Sequence, residues 1–224
     1  MTMNDNESFI REVNEELRSD QMKAIWKRFG PLFIGIAVLI IVAVGGSQAY
    51  KYWQDTKASE SGDRFLSALK DASEGRTDDA QNELAALEKD GFGAYPQLAR
   101  MRLATLHAEK GDIAAAISAF SEIGKDANFP EALRNAAKLR AAYLLVDHGT
   151  YDQVSAEVEA LSVPTSSSRH SAREALGLSA FKAGDYIKAR DWLQLIADDR
   201  AAPANLTQRA RMVLDLITAS GKAS

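Results

Sequence analysis

Cysteine is missing from all 224 residues, so disulfides, thiolate metal sites and cysteine nucleophiles are excluded. A chain without a thiol suits an oxidising compartment, where a stray one is a liability. Histidine is nearly as scarce. His107, His148 and His170 are the three, and none has a second ligand at a metal-binding spacing such as HExxH. Each is expected to be structural or solvated. No glycine-rich phosphate loop occurs, because Gly45-Gly46 falls inside an apolar run. Ser166-Ser167-Ser168 follows Pro164 without a Gly-x-Ser-x-Gly context. Asp78-Asp79 and Asp198-Asp199 fall at or near expected helix ends, where caps and solvated acids belong, which argues against general acid–base work. The expectation is a protein that is not an enzyme, with no cofactor, no metal and no small-molecule substrate.

Positive charge is also in short supply. The 27 bases are outnumbered by 31 acids, for a net charge of −4. Residues 1–28 hold five bases against six acids, and residues 51–224 hold 22 against 25. Neither part carries a basic patch of the size nucleic acid requires, so nucleic-acid binding is disfavoured. Strand-like alternation is lacking beyond Lys51. The chain there reads as helices separated by glycine turns and prolines, which makes the expected fold all-α.

One long apolar run stands out. Residues 29–50, FGPLFIGIAVLIIVAVGGSQAY, hold no charge across 22 positions, and Arg28 and Lys51 close the two ends. As a helix the run would be roughly 33 Å long, enough for a hydrocarbon core of about 30 Å. Trp26 and Phe29 mark its first boundary, and Tyr50, Tyr52 and Trp53 its second, as headgroup-seeking aromatics do. Lys23, Lys27 and Arg28 crowd the first end against Lys51 and Lys57 at the second, a weak bias that keeps the N-terminus in the cytoplasm. Ser47-Gln48-Ala49 offers a signal-peptide cleavage site before Tyr50. The long, acid-rich segment ahead of the run and the length of 31–46 favour an uncleaved anchor instead. Ala43 and Ser47 form a small-xxx-small pair where another helix would approach. In the tail, Phe9, Ile10, Val13 and Leu17 recur at helical spacing, with Asp5 or Asn6 as the expected N-cap. The division is therefore a cytoplasmic tail over 1–28, a transmembrane helix over 29–50 and a polar domain over 51–224.

Within that domain the breakers repeat. Gly75, Gly111, Gly149 and Gly184 are spaced by 36, 38 and 35 residues. Pro96, Pro130, Pro164 and Pro203 follow them. A period in the thirties calls for a repeat architecture. Five residues after each glycine lie Ala80, Ala116, Val154 and Ala189. Nine after lie Leu84, Phe120, Val158 and Leu193, and twelve after lie Leu87, Ile123, Leu161 and Ile196. Steps of four and three put a small residue where helices cross and larger ones beside it. Leu103-Ala104, Ala141-Ala142 and Leu176-Gly177 precede the last three glycines at one offset. The unit is a helix, a tight turn and a second helix, about four times over. The first copy is poorest, with Ser67 and Asp71 at apolar positions, and its first helix is expected to continue the membrane helix. Leu206, Ala210, Val213, Leu214 and Ile217 mark a final capping helix.

The unit resembles the tetratricopeptide repeat, most clearly in Leu176-Gly177, Phe181, Gly184-Asp185-Tyr186, Ala189, Leu193 and Ile196. The whole layout resembles the bacterial tetratricopeptide-like family that includes the ancillary subunit of the SecYEG translocon. The residues that carry this are Trp26-Lys27, Tyr50-Lys51-Tyr52-Trp53, and Gly93-Ala94-Tyr95 through Leu98-Ala99-Arg100-Met101-Arg102-Leu103-Ala104. The resemblance implies a single-pass inner-membrane protein whose α-solenoid of degenerate helix pairs faces the periplasm. It further implies protein partners, namely the SecYEG translocon and a periplasmic chaperone. The alternative is a scaffold for an envelope or division complex with no role in handling unfolded clients.

In such a repeat the first helix of each pair lines the binding face. Counting from the glycines, the candidate partner-binding positions are Phe65, Leu69, Leu98, Met101, Leu139, Tyr143, Leu178 and Phe181. A groove lined this way accepts a segment with exposed apolar side chains. The competing expectation is that another helix covers these residues and makes them ordinary core.

Overall fold

A computed structural model describes the backbone of residues 4–221, and side chains from Met22 onward except Ala24 and Ile25. The described chain is helical throughout and divides into two compact units, Met1–Ser59 and Glu60–Ser224. In the first unit, α1 (Asn4–Ser73, which runs on into the second) is helical from its first described residue. Asp5 and Asn6, expected as caps, therefore lie inside the first turn, and the side chains of the tail's apolar stripe lie outside the described residues. Within Trp26–Ser73 this helix is long and apolar enough to cross a membrane, by length and composition. Leu32, Ile34, Leu39, Ile41 and Val42 are all exposed, as lipid-facing residues would be.

The second unit is built of hairpins. The end of α1 pairs with α2 (Thr77–Asp90), α3 (Tyr95–Glu109) with α4 (Ile113–Lys125), and α5 (Glu131–His148) with α6 (Tyr151–Val158). The fourth pair is α7 (Arg169–Lys182) and α8 (Tyr186–Ala197), and α9 (Ala204–Ser220) packs on α8. All three glycine-referenced columns in the second helices are buried, from Ala80, Leu84 and Leu87 in α2 to Ala189, Leu193 and Ile196 in α8. Close approach shows at Gly177, opposite the α8 column. A Cβ on Gly177 would come within 2.7 Å of Leu193 Cγ, so α7 and α8 meet almost backbone to side chain.

Turn chemistry sets the period. At Gly75, Gly111 and Gly184 φ is +81°, +83° and +81°, a region closed to most side chains. Each ends its helix as a Schellman motif. Gly111 N–H donates to Ala108 C=O and Asp112 N–H to His107 C=O, and Gly184 and Asp185 repeat this on Phe181 and Ala180. Asp112 and Asp185 then cap the next helix, accepting from the Ala115 and Lys188 N–H groups. One residue thus ends a helix and its neighbour starts the next. Gly149 departs from this. Its backbone is extended (φ −127°, ψ −162°), and Thr150 and Gln153 start α6 through a capping box. The site is crowded instead: a Cβ would lie 2.7 Å from Leu145 Cδ2, 2.8 Å from Gln153 Oε1 and 3.1 Å from the Leu145 carbonyl, so both side-chain ends would have to shift.

The candidate binding face and its polar network

The eight candidate positions are shared among the repeats. Phe65 packs on the first cluster, with Ala68, Leu84 and Leu87, and its ring lies 6.0 Å from that of Tyr95. Met101 packs on the second cluster beside Phe120, and Leu139 on the third. Phe181 packs on the fourth and meets Tyr186 edge-on at 5.5 Å. Leu69, Leu98 and Leu178 are half-buried. Tyr143, at 36% exposure, is the most open of the eight. It also lines a cleft of about 350 Å³ between α3 and α5, with Phe120 and Leu144 as apolar walls and Thr105, Arg140 and Asp147 as polar ones. The other seven do not line this cleft. They are the shoulders of the core, each with part of its surface open.

Behind Tyr143 stands a charged network with no counterpart in the sequence reading. Its hydroxyl donates to Glu174 Oε2 at 2.6 Å. Arg209 grips the same carboxylate with two bonds, Nε to Oε1 at 2.6 Å and Nη2 to Oε2 at 2.9 Å. Glu174 is 1% exposed and Arg209 half-exposed, so this fork is a charge-assisted bond whose carboxylate is shielded from water while its guanidinium is partly wet. The three residues come from α5, α7 and α9 and fasten those helices side by side. Burial, followed by the hydrogen bond to Glu174, raises the Tyr143 pKa far above its usual value, and Tyr143 stays a neutral donor. The bond to Glu174 likewise raises the pKa of Arg209.

Counting back from the glycines exposes the signal that marked Glu174. Ten residues before each lie Phe65, Met101, Leu139 and Glu174. A lone carboxylate in an apolar column looks like a solvated exception from sequence. Here it is the most buried member of the column.

A second polar cluster closes the other end of α7. His170, 7% exposed, lies with Nε2 2.7 Å from Asp199 Oδ2, and Arg169 Nε reaches the same oxygen at 3.1 Å. The bond to His170, then those to the Ala201 N–H and to Arg169, holds the Asp199 carboxyl well below the usual carboxylate range. An ionised carboxylate only accepts, so His170 Nε2 carries the proton. Asp199 is therefore not the solvated acid its sequence position suggested: it ties the loop after α8 to α7. Arg173, buried beside them, donates to the Ser162 and Leu195 carbonyls, groups exposed at helix ends. Burial, followed by the charge of Arg169, lowers its pKa.

Comparison with known families decides what this arrangement is. The model of the tetratricopeptide repeat-like domain family matches residues 23–191. The chain belongs to this family. No curated protein and no solved structure matches the chain. The tetratricopeptide repeat-like match takes in the apolar run and the repeats together, and it stops inside α8, before α9. Domains of this kind are in general protein-interaction modules, which implies protein partners.

Proposed function

We propose that this chain is a membrane-anchored interaction module that presents its repeats to the periplasm from a bacterial inner membrane, with the N-terminus in the cytoplasm. Its partners are the protein-export translocon or a periplasmic chaperone, and its face is the run of first helices marked by Phe65, Leu69, Leu98, Met101, Leu139, Tyr143, Leu178 and Phe181. The observation that carries the reading is that one family match covers anchor and repeats as a unit. An interaction module whose membrane run belongs to its defining layout works at a membrane. The cleft beside Tyr143 supplies the contact point. An apolar side chain of the partner rests on Tyr143 and Leu144, with the buried Phe120 as the floor beneath, while Thr105 and Arg140 meet its backbone or polar groups.

The scaffold reading, a single folded envelope or division partner with no unfolded clients, draws on a different observation. The Tyr143–Glu174–Arg209 network makes one wall of the face rigid and polar, which suits one shape better than many. Photo-crosslinking residues placed at Met101, Arg140 and Phe181 in native membranes separate the two. Adducts with translocon subunits, a chaperone or exporting chains support the first reading, and one folded envelope partner supports the second. No adduct from any position in a folded chain removes both. The paired change Met101→Glu with Phe181→Glu is expected to abolish capture while the helical content stays, and unchanged capture contradicts the groove.

A further inference from the structure

Among the described residues, one side of α9 is uncovered. α9 buries Leu206, Ala210 and Ile217 against α8 and its neighbours. In register it is the first helix of a fifth pair, and among the described residues no second helix follows it. Every earlier helix in that register is covered by an antiparallel partner. On the open side of α9, Met212 and Leu216, one turn apart, are 57% and 59% exposed. A shallow cleft of about 450 Å³ runs along this side, lined by Thr207, Gln208, Arg211, Met212 and Asp215. Arg211 and Asp215 are both exposed, and neither has an ion-pair partner among the described residues. A base four residues ahead of an acid is the weaker order for pairing within one helix, which leaves both charges available.

We propose that this side of α9 is the contact between two copies of the chain, meeting antiparallel about a two-fold axis. An axis level with Val213 and Leu214 sets Met212 of one copy against Leu216 of the other, and Arg211 against Asp215, each to within about one residue's rise. The stripe is therefore complementary to itself, apolar against apolar and base against acid. A partner of a single charge sign would leave one of the two ions opposed or unmet, whereas a second copy satisfies both twice. One helix pair buries less area than a standard interface, so the contact is weak between free chains. Copies held on one bilayer meet at a raised effective concentration. The contact itself stands on α9, beyond the region matched by the family; it takes only the membrane anchor from the proposed function and is independent of what the first-helix face binds.

The absence of cysteine allows a clean test on the full chain in proteoliposomes. Differently tagged Met212→Cys and Leu216→Cys chains, mixed and oxidised, are expected to give a disulfide dimer containing one of each. Arg211→Asp or Asp215→Arg in both chains sets like charges across the axis and should lower its yield about tenfold. Arg211→Asp combined with Asp215→Arg restores complementarity and should bring the yield back. No mixed disulfide overturns the proposal. So does a yield indifferent to the single reversals, which marks contact through the anchor or by collision, or a double reversal that stays low. Circular dichroism of each variant checks that these exposed changes leave the helices intact.

Discussion

Glu174 shows how much one side chain decides. With its carboxylate buried between Tyr143 and Arg209, Glu174→Ala leaves a half-exposed guanidinium and a hydroxyl without their acceptor. The expected cost is about 2 kcal/mol, below that of breaking a wholly buried pair because Arg209 can reach water. Thermal unfolding of the full chain in detergent measures it. Glu174→Gln keeps one acceptor and should lose less. Asp199 makes the complementary statement about pH. Its pKa is lowered by His170, the Ala201 N–H and Arg169, so its contribution is present above the unfolded value of about 4 and is lost as pH falls toward the folded one. Acid unfolding should therefore set in at higher pH for wild type than for its own neutral-pH margin alone would give. Asp199→Asn should be less stable at neutral pH and converge on wild type in strong acid. Melting temperatures across that range check both.

At the scale of helices, the repeating glycines look equivalent in sequence and are not. Gly111 and Gly184 hold left-handed backbone, so Gly111→Ala costs about 1–2 kcal/mol through strain. Asparagine, which tolerates that region, should recover part of the loss. Gly149 is extended and crowded, so Gly149→Ala and Gly149→Asn should both destabilise, the larger residue more. Urea midpoints for the four variants distinguish strain from crowding. The buried columns are the other support of each hairpin. Phe120, 2% exposed, sits between the second and third repeats, and Phe120→Ala is expected to cost about 3–5 kcal/mol. It also lines the cleft beside Tyr143, so partner capture should weaken by more than the loss of folded protein explains.

For the molecule as a whole, the question is whether the apolar run stays attached. The helix Trp26–Ser73 is long and apolar enough to cross a membrane, and a signal sequence near an N-terminus passes the same test. An uncleaved anchor predicts intact mass in the membrane fraction and resistance to carbonate extraction. Replacing Leu39 and Ile41 with arginine should release the chain or block its insertion, because each charge at the bilayer centre costs about 2.5–3.5 kcal/mol. A mature protein beginning at Tyr50 would contradict the anchor.

The sequence by itself determined the helical class, the repeat period, the apolar run and the buried columns of every second helix. These are properties of spacing: 3.6 residues per turn and a glycine at each hairpin leave a periodic trace whatever surrounds them. Tertiary structure alone decided which polar residues are buried. Glu174, Arg173 and Asp199 look solvated in a one-dimensional reading, and His170 is left open between structural and solvated, because their partners across the fold lie 11 to 35 residues away, on other helices or in the loops that follow them. It also decided that Phe65, Met101, Leu139 and Phe181 brace four separate clusters while Tyr143 opens onto a cleft. Exposure depends on which helix lies across a residue, and no local pattern carries that.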